Sequence, residues 1–560
     1  MEMPTTTTEA TINTFVSCAA ERDSACTARH PFGFAELYRA YRACRRGKRS
    51  TRKAQRYELT LLDRLVDTAQ LLQLRRWHPS RSIRFVVTHP KPREILAAEF
   101  GDRVVHHSLV PWFERLYEPV FIFDSFANRK GKGSHAAVSR LQAFTRRHPR
   151  GYYLQLDIAS FFNSINRRTL FGLLLQRVAR DLQRSKSDPR RAEPAQANDM
   201  LWLARVLLTG NPALRAHYHG CVKDLARVPA HKQLANAPAE TGLPIGNLTS
   251  QFFANVYLNE LDQFIKHRLK VAAYIRYVDD FVLMHDDPPQ LEAWREDITT
   301  FLRQHLGLEL RDGGRLAPIG NGIDFLGYIV RPHYRLVRRR VVGHMHERLQ
   351  AHAVTIVWRD SQVYDYAPGK AGQVQATLAS YYAHFRHAQT AGLRKAVFLQ
   401  HPWLAHILAE TPKGGLCRCD APHSVTSLAS QWRYFRQRYP QHLLLLRVGN
   451  TLQARGQDAY TIARATSCPG LPLAQQRPGL GAGRSWPLAM GAQLRRRLRA
   501  QCLPYAYIDE AGWLKGGMKR RELRQLCVLN TSSSLPCLND LNPTRRSNDS
   551  AGRNSGVKYA

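Results

Sequence analysis

Residues 272–285, AAYIRYVDDFVLMH, set two adjacent carboxylates, Asp279 and Asp280, between two runs of β-prone apolar residues. That pattern predicts antiparallel strands joined by a tight turn, with the acids at its tip. Acids in a turn are ordinarily solvated and do nothing further. A second segment, residues 151–165, GYYLQLDIASFFNSI, changes the reading, because Asp157 closes another β-prone run just before the aromatic pair Phe161-Phe162. Two strand-borne acidic sites in a chain with 82 Lys+Arg against 44 Asp+Glu predict carboxylates gathered around divalent cations. A hard ion such as Mg²⁺ takes few carboxylates directly and completes its shell with water and substrate phosphates. Two such ions, roughly 3.5–4 Å apart, activate a 3′-hydroxyl and stabilise a leaving pyrophosphate.

The elements around these acids follow from periodicity and breakers. Residues 57–74 place Leu61, Leu62, Leu65, Ala69 and Leu72 at helical spacing, an amphipathic helix expected to pack on a core. Pro79 and Pro90 bracket the strand-like IRFVV. At 560 residues the chain predicts three to five structural units. The expected order is an N-terminal helical segment (1–79), a central α/β region (80–345), a helical stretch (346–408), a linker (409–427), a second α/β module (428–528) and a disordered tail (529–560). The polar, Pro-containing stretch 183–199 reads as a surface insertion. MEMPTTTTEA lacks the basic region and apolar core of a secretory signal, and runs such as LLLL at 443–446 are far too short to span a bilayer. The expectation is a cytoplasmic protein with no membrane association, its ten cysteines reduced.

A net charge of +38 repels itself unless it faces a polyanion, which makes nucleic acid the expected partner. The loop Arg129-Lys130-Gly131-Lys132-Gly133 fits either a solvated turn or the close approach of a phosphate backbone. Tyr381, Tyr382, His384, Phe385 and His387 recur at helical spacing and read as packing residues, and Cys417-Arg-Cys419 is too sparse for a zinc site.

Taken together, these segments resemble the reverse transcriptase family. YVDD at 277–280 matches its Tyr-x-Asp-Asp hairpin, and LDIASFF at 156–162 matches the segment carrying its first metal-binding aspartate. GLPIGNLTSQFFANVYLNELD at 242–262 and FLGY at 325–328 match the blocks between and after them, in the family's order. The resemblance covers residues 80–345 and implies a right-hand polymerase of fingers, palm and thumb, with residues 346–408 as the thumb. It implies that Asp157, Asp279, Asp280 and the backbone carbonyl of Ile158 hold two Mg²⁺ ions, for which Mn²⁺ can substitute. Phe162 falls at the family's steric gate against a 2′-hydroxyl. Lys91 and Arg93 fall where basic side chains grip the triphosphate, with Arg84 and Arg103 as nearby alternatives. The implied partners are template RNA, a DNA primer or cDNA, and dNTPs.

Within the family, Ile245-Gly246-Asn247-Leu248-Thr249-Ser250-Gln251 resembles the block of diversity-generating retroelement enzymes, where Gln-Gly is replaced by a branched residue and Gly. The resemblance implies that Ile245, Gly246 and Gln251 contact the template and nascent pair, that template adenines are copied with errors, and that a small helical accessory protein is a candidate partner. Phage-defence and uncharacterised bacterial reverse transcriptases share similar blocks and form the alternative. The tail carries no His/Asn nuclease signature of group II intron enzymes.

Residues 428–528 resemble the N-terminal mismatch-sensing domain of the MutS family in Arg447, Gly449, Gly456, Asp458 and Ala459. The family's wedge Phe corresponds to Thr451 and its base-contacting Glu to Gln453, so the module either meets a duplex or RNA through basic residues, chiefly in 512–524, or is a domain kept for packing or protein contact. The fold class expected is therefore α+β multidomain, a right-hand polymerase with an appended MutS-like α/β module. The function expected is RNA-directed DNA synthesis; a non-enzymatic RNA-binding scaffold is disfavoured by the complete aspartate set.

Overall fold

The computed structural model describes residues 30–88, 91–185, 194–357, 363–422, 425, 427–473, 481–514 and 517–528. The chain divides into two compact units, Met1–Tyr334 and Arg335–Ala560. The expected disordered tail, 529–560, lies outside the described residues, as does the middle of the expected insertion.

In the first unit, four antiparallel strands run in the order Ala273–Tyr277, Asp280–His285, Tyr152–Asp157, Arg315–Pro318. Alternation along the strands divides their two faces. Leu154, Leu156, Phe281 and Leu283 enter the core with the helices Leu248–Gln263 and Pro288–Phe301, while Gln155, Asp157 and Asp280 fall on the opposite face. A separate sheet pairs Ile83–Val87 with Arg93–Ala97.

The boundary expected at residue 79 is absent: Phe32, Leu37, Tyr41, Tyr57, Leu65 and Leu72 share one core with Phe100, Val104 and Phe113. The helix expected over 57–74 is broken at Leu59-Thr60 into Arg52–Glu58 and Leu61–Gln73, and Leu62 faces solvent. The stretch 183–199 is helical at both described ends, and buried Asp199 accepts from Arg75 at 2.8 Å.

The second unit is built on a seven-stranded sheet. Its central strand, Leu443–Val448, runs parallel to Tyr505–Trp513 and antiparallel to Thr451–Arg455. It explains the LLLL run: Leu444 and Leu446 enter one core and Leu445 the other, so both faces are buried. Two expected boundaries fail here. Val363–Asp365, from the expected thumb, is an edge strand of this sheet. Met345, Leu349 and Leu378 of that helical stretch share a core with Leu444, Ala506 and Leu523. The expected linker is also folded: Leu408–Glu410 pairs with Leu416–Arg418, and buried Asp420 accepts from Arg418 and, through its carbonyl, from Leu523 N–H at 2.8 Å. Residues 346–408, 409–427 and 428–528 are thus parts of one folding unit, because each leaves an apolar face that only the others cover.

Candidate active site

Antiparallel register puts Asp157 directly opposite Asp280, and Asp280 opposite Tyr277 across the hairpin. Val278-Asp279 forms the two-residue turn. Val278 is β-branched yet adopts φ 59°, a left-handed conformation that costs roughly 1–3 kcal/mol and persists only when its surroundings impose it. The restraint is Arg276, fully buried, whose Nη1 donates to the Val278 carbonyl at 3.0 Å. Arg276 is itself clamped by Asp262, which also accepts from the Tyr274 hydroxyl, and it donates to Ser125 and Asn255. A buried, charge-neutralised network thereby aims the acidic turn.

Burial pushes the Asp279 carboxyl up to about 6, with the Asp157 charge adding to it. Burial likewise pushes Asp280 up to about 7; the Gln155 amide, donating at 3.0 Å, opposes this, while Asp157, Asp279 and Asp324 reinforce it. Gln155 also donates to the Asp324 carbonyl at 3.1 Å, tying the site to the hairpin Ile323–Phe325/Tyr328–Val330 that contains FLGY. Asp279 and Asp280, whose proton affinity is raised by burial and by the Asp157 charge, form with Asp157 a site that also favours a cation. Among the described residues they do not stand as a closed cage of three metal-ligating groups. The reason is visible in their partners: Asp157 is paired with the half-exposed guanidinium of Arg311, and Asp280 is turned to Gln155. This donor set nonetheless fits Mg²⁺, which needs only one or two carboxylates plus water and phosphate oxygens. The backbone bonds flanking Ile158, Ala159 N–H to Glu309 and Arg311 N–H to the Asp157 carbonyl, hold the strand end at 2.8 Å each.

The remaining expected residues converge through backbone bonds. Leu243 N–H donates to the Phe162 carbonyl at 2.7 Å and Leu96 N–H to the Ile245 carbonyl at 2.9 Å, stitching 242–246 between the Phe162 turn and strand Arg93–Ala97. Asn247 accepts from Ala98 N–H at 3.1 Å. Gly246 is required there: its φ is 120°, and a Cβ would lie 2.9 Å from Ile95 Cγ2. Phe161 is buried, whereas Phe162 is half-buried against it, as are Ile245 and Gln251. Arg93 is exposed and lowers the Asp279 carboxyl by its charge. Lys91 lies in the turn before that strand. Of the alternatives, Arg84 is paired with Glu94 and Arg103 donates to the Ala98 carbonyl.

Other expectations are corrected. The basic loop 129–133 is neither a free turn nor an open phosphate cradle: Arg129 pairs with Glu118 and bonds two carbonyls, Lys130 pairs with Glu114, and Lys132 sits 3.4 Å from the Phe123 ring centre. In 512–524, Lys519 and Arg521 pair with Glu510, Arg520 with Glu522 and Arg524 with Asp509, so the described cations there are matched by acids. Asp458, one of the MutS-like frame residues, accepts from Leu444 N–H and Arg436. Arg276, Asp262, Gln155 and Arg311 escaped sequence reasoning. A polar residue inside an otherwise apolar strand was the available signal for Arg276 and Gln155.

The match of the central region to a family model supports an RNA-directed DNA polymerase. Residues 90–329 match the family described as reverse transcriptase (RNA-dependent DNA polymerase). Protein YkfC of Escherichia coli (strain K12) is 24% identical over 302 residues, covering 47% of this chain and 70% of that protein. Among solved structures, apo telomerase from Candida tropicalis, truncated from its C-terminal domain, aligns at 10% identity and TM-score 0.33 over 46% of this chain and 55% of its own. Telomerase from Candida albicans in complex with a TWJ fragment of telomeric RNA aligns at 11% and 0.31, over 58% and 60%. The chain spans a little over half the length of these structures. No helix among the described residues is long and apolar enough to cross a membrane.

Proposed function

We propose that this protein extends a DNA 3′-end on an RNA template by nucleotidyl transfer, as a right-hand polymerase whose palm is the four-stranded sheet. The observation that carries the reading is the register that sets Asp157 opposite Asp280 with Asp279 in the adjoining turn. Asp157, Asp279, Asp280 and the Ile158 carbonyl would hold two Mg²⁺ ions, which when bound supply charge neutralisation at the attacking and leaving oxygens. The chain's own residues do the rest. Arg93, on the strand stitched to Ile245, presents a guanidinium to the triphosphate. Phe162 closes the sugar side of the nucleotide site. The turn 242–246 supports the template base through shape, since Ile245 offers no side-chain hydrogen bond.

The biological setting we favour is diversity generation, carried by the Ile245-Gly246 block; phage defence is the alternative. The MutS-like reading of the second unit rests on its sequence frame alone. Primer extension on an RNA template with Mg²⁺, comparing wild type with Asp279→Ala plus Asp280→Ala, tests the activity: incorporation by the wild type alone supports the assignment, and none by the wild type under any primer supply refutes it.

A further inference from the structure

Between Arg39 and Arg56 the chain carries nine basic residues and no acid. The density belongs to a rigid support. Helix Phe34–Arg45 buries Leu37, Ala40, Tyr41 and Cys44, and helix Arg52–Glu58 buries Ala54 and Tyr57, in the core of the first unit. The connecting turn passes through Gly47 at φ 73°, and the cations flank it. A cleft of about 450 Å³ opens there, lined by Arg39, Arg42, Arg45, Arg46 and Arg49. The ion pairs formed in this stretch engage Arg39 with Glu36, Arg45 with Glu58 and Lys53 with Glu99. Arg42, Arg46, Arg49, Arg52 and Arg56 are exposed and form no ion pair among the described residues. Like charges at helical spacing repel, so such a surface is favourable only against a polyanion.

A second feature lies on the same ridge. Phe34 and Tyr38 are 41% and 39% exposed, with ring centres 6.2 Å apart and planes within 9°. Residues 34, 38 and 42 follow at four-residue spacing, two rings and then a guanidinium, over roughly 12 Å of helix, with Arg46 just past its end. Exposed parallel rings beside clustered arginines match an unpaired base together with the phosphates that follow it.

We infer that this ridge is a binding platform for single-stranded nucleic acid, separate from the aspartate site; under the function proposed above, on which this source rests, the strand is template RNA outside the copied stretch. The test is a binding measurement without Mg²⁺ or dNTPs, so its outcome does not depend on whether the enzyme incorporates nucleotides. Fluorescence anisotropy with a labelled unstructured 20-nucleotide RNA, the same sequence as DNA, and the RNA duplex would be recorded against salt. Arg42→Gln, Arg46→Gln and Arg49→Gln together should reduce the salt slope on single-stranded RNA by about 2, at roughly 0.7 per lost phosphate contact. Phe34→Ala with Tyr38→Ala should weaken the single strands by about fivefold or more with the slope kept, and leave the duplex unaffected. Unchanged slope and affinity overturn the platform; an equal aromatic effect on the duplex overturns the stacking role. A loss confined to the DNA strand overturns the template assignment in favour of the product strand.

Discussion

Replacing Asp280 by Asn should stabilise the metal-free protein, and more so as pH rises. In the folded chain burial and neighbouring acids raise this carboxyl from 3.8 to about 7. A carboxyl whose folded value exceeds its unfolded one binds its proton more tightly when folded, so folding stability is lost as pH climbs from about 4 through about 7. A rise of about three pH units at 1.36 kcal/mol each bounds the penalty near 4 kcal/mol at pH 8, and about 1–2 kcal/mol remains at pH 5. Asn keeps an oxygen for the Gln155 amide, so that contact survives. Urea unfolding of the full chain in EDTA should show the variant ahead by about 2–4 kcal/mol at pH 8, with the gap shrinking by at least half at pH 5. Added Mg²⁺ should stabilise the wild type more than the variant. A variant less stable at pH 8, or a gap indifferent to pH, would refute the account of a strained acidic cluster.

Arg311→Ala removes the cation that pairs with Asp157, and since a half-exposed pair is worth roughly 0.2–1 kcal/mol, Mg²⁺ should bind about 1.5–5-fold more tightly by calorimetry. Asp262→Asn leaves Arg276 buried without its counter-charge and should destabilise the first unit by about 3–5 kcal/mol in denaturant unfolding. Phe162→Ala should lower the preference for dNTPs over rNTPs in single-turnover incorporation, whereas Phe161→Ala should chiefly lower stability, because only Phe161 is fully buried. A chain beginning at Arg335 should fold on its own and one beginning at residue 428 should not, as proteolysis and circular dichroism would show, because the latter loses the helices that cover Leu444 and Leu446.

Local pattern carried much of this far. The alternation in YYLQLD and the two β-prone runs around Asp279-Asp280 dictated strands ending in acids, and the register then had to bring those ends together. Boundaries were less legible. A linker-like composition at 409–427 conceals a hairpin, because its polar groups are satisfied by partners a hundred residues away, such as the strand Lys519–Cys527, whose Leu523 N–H meets the Asp420 carbonyl. The same holds for basic clusters: 129–133 and 512–524 look alike in sequence to 39–56, yet the first two meet carboxylates in the fold and the third meets few.

By itself, then, the sequence determined the residues on which the proposed chemistry rests, because the acids and their strands are specified by side-chain type and a two-residue period that needs no distant partner. Only the tertiary structure decided how that chemistry is held: which cations are spent internally, that Arg276 pins a strained turn, and that three expected segments share one core. Those are long-range pairings, set by which faces happen to meet when the chain closes, and no local pattern records them.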